Sequence, residues 1–504
     1  MANPLYDTLF GRHAERETPF LFLPDGEALT HAAFLDMTAR FAHSFAALGV
    51  SAGDRLAVQI EKSLQALAVY AACVQSGIVF LPLNTGYTAS EFSYFVENSG
   101  AALVLCDPAR KESLTAIAET NGALLETLGA DGRGSLSELA ARLPDRFETV
   151  ARGPDDLAAL LYTSGTTGRS KGAMLTQGNL LSNAETLTRV WRFDKEDVLL
   201  HALPIFHTHG LFVATNITLL AGGAMIFLPK FDLDAIIDRL PQATSMMGVP
   251  TFYTRLLEDP RFTRDLAAHM RLFISGSAPL LSETHTRFEE RTGHRILERY
   301  GMTETNMNTS NPYDGDRRPG TVGFALPDVE LKVTDPATGA TLPDGKIGQI
   351  EVRGPNVFKG YWQMPEKTRE ELREDGFFIT GDLGVIDDQG YLQIVGRNKD
   401  LIISGGYNVY PKEIEAVLDA QPGVLESAVV GVPHPDFGET VIGIVVPEKG
   451  VTPDTARINA SVQDQLARFK HPQKLIVRDA LPRNTMGKVQ KNLLREEYAT
   501  LFAD

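Results

Sequence analysis

Cysteine is nearly absent from this chain: its 504 residues contain only Cys73 and Cys106. Both sit in apolar surroundings, "VYAACVQSG" and "ALVLCDP". They read as buried small hydrophobes, which suits a reducing compartment, and they exclude a disulfide framework or a zinc-binding spacing. Basic charge is also in deficit, with a formal net charge of −16. That balance excludes the broad basic face required for non-specific nucleic-acid binding. Any anion the protein binds must be met by a few local cations and backbone amides. Long uninterrupted apolar runs are missing as well. The strongest candidate, "LFVATNITLLAGGAMIFL" from Leu211 to Leu228, carries no charge but is broken by Asn216 and by Gly222-Gly223. It reads as a buried helix stopped at the glycines and followed by a strand, not as a membrane span. The opening "MANPLYDTLFGRHAERETPF" shows no basic segment ahead of an apolar stretch. No secretion signal is therefore expected, and the cytoplasm is the expected compartment.

What is present is α/β patterning on a scale that calls for more than one domain. The length exceeds what a single core sustains, and 43% hydrophobic with 22% charged residues is ordinary for a globular chain. One unit occurs twice, as "ALAVYAACVQSGIVFLPLN" (Ala66 to Asn84) and "ATNITLLAGGAMIFLPKF" (Ala214 to Phe231). Each copy is an apolar helix, a glycine stop, a short apolar strand and Leu-Pro, the repeating piece of a parallel sheet covered on both faces. Two similar α/β layers are expected. "DRLAVQI", "ALVLCD", "RLFISG" and "VLLHALP" supply further short strands. Beyond about Asp328, "VELKVTD", "GQIEVRG" and "GYLQIVG" alternate with turn-forming "DPATG" and "DDQG", as in a small antiparallel β region. After "GRNKDLIISGGYNVYP" the pattern becomes a small α+β domain, beginning with a helix that has Pro411 at its start. The expected organisation is an N-terminal domain over residues 1–397 and a C-terminal domain over residues 398–504, with the boundary near Arg397 to Asp400.

The chemically dense stretch is "LLYTSGTTGRSKGAMLT", Leu160 to Thr176. Thr163, Ser164, Thr166 and Thr167 surround Gly165 and Gly168, and Lys171-Gly172 follow. Hydroxyls, glycine and lysine together point to phosphate, since glycine lets backbone N–H groups approach an anion closely. The spacing is not G-x-x-x-x-G-K-[ST], so a P-loop is excluded. Taken alone, the stretch reads equally well as a polar turn between strand "DLAALLYT" and helix "TQGNLLSNAE".

With the rest of the chain, it resembles the phosphate loop of the AMP-forming acyl-CoA synthetases, the adenylate-forming superfamily. The other motifs follow in order over nearly the whole chain: "LPIFHTHG" (Leu203 to Gly210), "ISGSAP" (Ile274 to Pro279), "RYGMTET" (Arg299 to Thr305), "FFITGDLG" (Phe377 to Gly384), "GRNKDLIISGGYNVYPKEIE" (Gly396 to Glu415) and "LPRNTMGKVQK" (Leu481 to Lys491). Ser170 stands where such loops usually carry proline; little consequence is expected, because that proline mainly stiffens the loop.

The resemblance implies a two-step reaction. A carboxylate attacks the α-phosphate of ATP to give acyl-AMP and pyrophosphate, and coenzyme A then displaces AMP. It also implies roles. The loop residues Thr163 to Thr167, with Lys171, hold the β- and γ-phosphates. Lys488 bridges carboxylate and α-phosphate, where two anions must be brought together. Glu304, with Thr166, is expected to bind Mg²⁺, and Thr303 to bond the α-phosphate. Tyr300 stacks on adenine, with Gly276 to Ala278 on its other face; Asp382 and Arg397 hold the ribose. His207 positions or gates the acid. Lys399 is the hinge about which the C-terminal domain rotates between steps, and Gly405-Gly406 line the pantetheine tunnel.

Two arginines and a hydroxyl distinguish the acid end. Arg299 precedes "YGMTE", Arg255 lies in "VPTFYTRLLED", and Ser277 lies in "SGSAP". The set is similar to that of malonyl-CoA synthetases and implies a clamp for a second carboxylate, malonate or methylmalonate, which the sequence does not rank. The competing reading pairs Arg299 with Glu298 or Glu290, and Arg255 with Glu258 or Asp259. Another small acid (acetoacetate, oxalate, acetate), a carrier-protein-loading enzyme and a non-catalytic nucleotide-binding protein are the alternatives. The resemblance further implies that Lys488 is open to regulation by a lysine acetyltransferase and deacetylase.

Overall fold

The computed structural model describes residues 2–163, 170–404, 407–435, 437–484 and 487–502. Two large sheets form the N-terminal body. One has six strands, in the spatial order Leu124–Thr127, Leu103–Cys106, Arg55–Gln59, Val79–Pro82, Leu157–Thr163 and Lys171–Thr176. The first five run parallel, and the last pairs antiparallel with its neighbour. The other sheet has nine strands, with Leu297–Met302, Leu272–Ser275, Ser245–Gly248, Val198–His201, Ala224–Phe227 and Pro19–Phe22 as its parallel centre.

The two copies of the repeated unit supply one helix–strand pair to each sheet. Helix Leu64–Ser76 ends at Gly77 and leads into Val79–Pro82; helix Asn216–Ala221 ends at Gly222 and leads into Ala224–Phe227. Both glycines take a left-handed φ, 70° and 72°, which is why the stop is glycine in each copy. The two units meet in one core. Tyr70 packs on Phe212 with ring centroids 5.8 Å apart, and its hydroxyl bonds Asn216 Oδ1 at 3.2 Å. Asn216, the polar break in the long apolar run, thus has its Oδ1 bonded inside the protein, while its Nδ2 has no partner among the described residues. Among the described residues no helix is long and apolar enough to cross a membrane.

An antiparallel four-stranded sheet follows, in the order Glu330–Thr334, Gly348–Arg353, Phe378–Ile386, Leu392–Arg397. It ends at Arg397. After the turn Asn398–Asp400 the chain enters a separate five-stranded sheet built around the long pair Val424–His434 and Gly438–Pro447. Helices Pro411–Asp419 and Thr455–Gln465 cover one face of it, through Ile414, Leu418, Ile458 and Val462. Helix Lys491–Glu497 covers the other through Leu494. Arg495 of that last helix bonds Asp400, tying the turn to the C-terminal unit.

One local expectation is corrected. The phosphate loop does not lead from a strand into a helix. Lys171–Thr176 is itself a strand, in register with Leu157–Thr163, and Thr176 then caps helix Gln177–Val190. Leu157–Thr163 and Lys171–Thr176 are therefore the two arms of an antiparallel hairpin.

Candidate active site

The site forms where the C-terminal ends of the parallel strands Val198–His201, Leu272–Ser275 and Leu297–Met302 release their loops, the usual position for a ligand in such sheets. The four-stranded sheet and the C-terminal unit close over it.

At the end assigned to the nucleotide, two ion pairs are already formed, Asp382 with Arg397 and Lys171 with Glu371. Asp382, buried, lies 2.9 Å from Arg397 Nε and accepts the Tyr300 hydroxyl at 2.6 Å. The pairing comes from register, since Asp382 and Arg397 are cross-strand partners. Asp382 raises the pKa of Arg397, and burial with the adjacent Asp382 raises that of Tyr300. Lys171 Nζ lies 3.1 Å from Glu371 and 4.2 Å from the Tyr361 ring centroid. Tyr361 also donates to Glu371 at 2.6 Å and lies 3.0 Å from Glu304 Oε1. Glu304 is buried, and burial raises its pKa. No basic side chain among the described residues lies within ion-pair distance of it. Thr303 is half-buried beside it. Ser164, Gly165, Thr166, Thr167, Gly405 and Gly406 lie outside the described residues.

At the acid end the groups lack partners. Arg299 is 4% exposed, and its Nε and Nη2 have no hydrogen-bond acceptor. Burial pushes its guanidinium well below the ordinary value. The neighbouring carboxylate does not relieve it: Glu298 projects from the opposite face of the strand and meets His285 at 3.3 Å. Gly276 makes room for the guanidinium, because a Cβ there would lie 2.3 Å from Arg299 Cζ. Ser277 follows, at φ 70°, with Ala278 after it, half-buried.

The Arg255 side chain is exposed on helix Pro250–Glu258, and its guanidinium lies 5.4 Å from the Phe231 ring centroid. It pairs neither with Glu258 nor with Asp259; the latter is held by Arg261 at 2.6 Å. Arg299, packed on Gly276, thus stands beside Ser277 with no ion-pair partner among the described residues.

His207 lies between the two ends. Its pKa is lowered to about 3 by burial, with Lys488 and Arg299 as like-charged neighbours. Lys488 reaches the same place from the C-terminal unit. Its loop passes helix Pro250–Glu258, where a Cβ on Gly487 would lie 3.8 Å from Thr251 Oγ1. Lys488 is accessible to solvent at the mouth of the cleft but crowded by protein. That desolvation, followed by Arg397, lowers its pKa to about 8, while Asp382 and Glu304 act in the opposite sense. Lys399 is exposed in the turn Asn398–Asp400.

Three residues escaped the motifs: Tyr361, Glu371 and His209. His209 is 1% exposed, with Nδ1 3.1 Å from Ser277 Oγ and Nε2 without a partner. It opens the π-helical segment His209–Thr215, which begins inside the quoted "HTHG".

A nucleotide end with two ion pairs and a buried Glu304 left for a cation, and an acid end with an unpaired guanidinium, bridged by one lysine from a second unit, are the layout of an acid-activating enzyme. Residues 10–362 match the AMP-binding enzyme family and residues 413–488 its C-terminal domain, so the chain belongs to the AMP-binding enzymes. It is 35% identical over 477 residues to a malonate–CoA ligase of Arabidopsis thaliana, covering 88% of this chain and 78% of that protein. It is 36% identical over 477 residues to a feruloyl-CoA synthase of Amycolatopsis sp, with 94% of each covered. Among solved structures it resembles MatB from Rhodopseudomonas palustris in its ATP-bound form, at 58% identity, full coverage of both chains and a TM-score of 0.98. The apo form of MatB scores 0.87 at the same identity and coverage. The present arrangement, with Lys488 turned into the cleft, is therefore nearer in overall shape to the ATP-bound form.

Proposed function

We propose that this enzyme joins a short dicarboxylic acid, malonate or methylmalonate, to coenzyme A through an acyl-AMP intermediate, consuming ATP and releasing AMP and pyrophosphate. Arg299 carries the reading: a buried guanidinium without a carboxylate partner among the described residues is costly unless a ligand supplies one. The malonate–CoA ligase relative points the same way, and the Arabidopsis enzyme and the MatB structures support ATP and coenzyme A as substrates.

In this reading residues 1–397 form the adenylating body and residues 398–504 carry Lys488. Arg299 takes the acid's second carboxylate, which leaves the first beside His207 and Lys488. Burial keeps His207 neutral, so it can orient the acid without adding charge. Lys488 places its ammonium between the attacking carboxylate and the α-phosphate, where charge is needed most. Asp382 and Arg397 hold the ribose, and Tyr300, fixed through its hydroxyl to Asp382, offers its ring to adenine. The phosphate loop with Lys171 takes the leaving pyrophosphate. Glu304, buried and without a cation, fits Mg²⁺, a hard ion content with one protein carboxylate plus phosphate oxygens. When bound, that ion would neutralise phosphate charge. Rotation about Lys399 then removes Lys488 and admits the thiol. The accessibility of Lys488 also supports control by acylation, which would remove its charge. Peptide mass spectrometry of protein isolated from cells under several growth conditions checks this; unmodified Lys488 throughout would exclude it.

The decisive experiment is pyrophosphate release from ATP and Mg²⁺ with malonate, methylmalonate, succinate or acetate, each with and without coenzyme A. Strong release with malonate or methylmalonate and little with acetate is expected. Preference for acetate would keep the ligase but remove the dicarboxylate reading.

A further inference from the structure

We infer that His209 is a specificity-determining residue whose Nε2–H donates to the substrate's second carboxylate, alongside Arg299. The inference rests on the proposed function and goes beyond it by naming a residue that the motif comparison passed over in favour of His207.

Three observations converge. First, His209 Nε2 and Arg299 Nε and Nη2 are all buried without a protein partner. Unsatisfied buried donors are rare, and each is expected to find an acceptor in the working state. Second, these groups flank one dipeptide. Arg299 packs against Gly276, where a Cβ would lie 2.3 Å from its Cζ, and His209 Nδ1 is 3.1 Å from Ser277 Oγ. An acceptor placed between them meets a guanidinium edge and an imidazole N–H together, which matches the two oxygens of a carboxylate. Third, the ring is fixed. Ser277 is held at φ 70°, a strained value for a residue with a side chain, and its Oγ lies 3.1 Å from Nδ1. The proposed contact requires the tautomer in which Nδ1 accepts from that hydroxyl; the neutral imidazole then carries its proton on Nε2, and the free nitrogen is a donor. Burial, with Arg299 as a like-charged neighbour, keeps the ring neutral before substrate arrives.

The segment bearing His209 is anchored from behind. His201 Nε2 lies 2.8 Å from the Gly210 carbonyl, and buried Lys62 bonds His201 through Nδ1 at 2.9 Å and through its carbonyl at 2.8 Å. A Cβ on Gly210 would lie 2.0 Å from the Pro204 carbonyl oxygen, so the turn "FHTHG" can close only with glycine there. The ring is thus positioned by the backbone on one side and by Ser277 on the other, as a residue selecting by geometry must be.

The test uses the full-length enzyme and the malonate dependence of pyrophosphate release, comparing His209→Gln with His209→Asn. The glutamine amide can occupy the place of Nε2, whereas the shorter asparagine amide reaches only that of Nδ1. Losing one hydrogen bond to a charged group predicts a malonate KM raised about tenfold or more in the asparagine variant. The glutamine variant should stay within about threefold of the unsubstituted enzyme, with kcat changed little in either. Should both variants fail to fold, nitrogen-15 NMR of the histidine-labelled, unsubstituted enzyme replaces them: the His209 Nε2 signal should be that of a protonated nitrogen and shift on adding malonate, and a proton on Nδ1 or no shift would overturn the inference. An unchanged KM, equal KM rises in the glutamine and asparagine variants, or a fall in kcat alone would overturn the inference. If the unsubstituted enzyme releases no pyrophosphate with malonate or methylmalonate, the function itself fails, and this inference fails with it.

Discussion

The two ends of the cleft solve the problem of buried charge in opposite ways. At the nucleotide end, Asp382 meets Arg397, and Lys171 meets Glu371. At the acid end, nitrogens of Arg299 and His209 are buried without a partner among the described residues. A paired end gains little folding free energy from its ligand but is ordered before the ligand arrives. An unpaired end stores a desolvation cost that only an anion of the right shape removes. Selectivity should therefore live at the acid end and tolerance to substitution at neither.

The largest effect should come from the residue joining the two ends. Lys488→Ala should lower adenylation about 10³-fold or more while sparing thioester formation from supplied acyl-AMP; single-turnover assays of each half-reaction check this. The same charge makes a pH prediction. With its pKa lowered to about 8, Lys488 loses its proton as pH rises through that value, so adenylation should fall above pH 8 while the thiol step does not fall with it.

Arg299→Met sharpens the contrast most directly. It should cut malonate turnover about 10³- to 10⁴-fold. It should also raise the stability of the ligand-free enzyme by about 1 to 4 kcal/mol, because an apolar side chain replaces an unpaired buried charge. Urea denaturation without substrate measures the second effect, and a destabilised variant would break the comparison. At the paired end the signs should agree: Asp382→Asn should raise the ATP KM about tenfold and cost about 1 to 2 kcal/mol, as Arg397 is partly exposed. The smallest effect should belong to Arg255→Ala, with less than about a threefold change in malonate KM and a stability within about 0.5 kcal/mol. A large KM increase there would restore a two-arginine clamp.

The difference between the two arginines was partly legible. In "PTFYTRLLE" the buried residues are Phe252, Tyr253, Leu256 and Leu257, a helical stripe that leaves position 255 outside. Strand alternation likewise separates Glu298 from Arg299 and so removes the competing ion pair. The repeated helix–glycine–strand unit was legible because its periodicity is local. Lys488, Glu304 and Asp382 could be singled out because each lies in a recognisable motif. Tyr361 and Glu371 could not: they meet Lys171 only after about two hundred residues of intervening chain have folded, and nothing near them in sequence marks the contact. His209 was hidden for a different reason. "HTHG" offers two histidines, and only the tertiary position of Ser277 distinguishes them.

The Lys171–Glu371 contact has a kinetic consequence. A lysine with a carboxylate 3.1 Å away does not face water alone when its anion departs. On the proposed function, pyrophosphate leaving Lys171 would exchange one counter-ion for another across a few ångströms, with Tyr361 bonded to both Glu371 and Glu304 in the same small group. The anion would then be held by the difference between two ion pairs rather than by the whole of one. Such a difference would keep product from becoming the trap in which each catalytic cycle stalls.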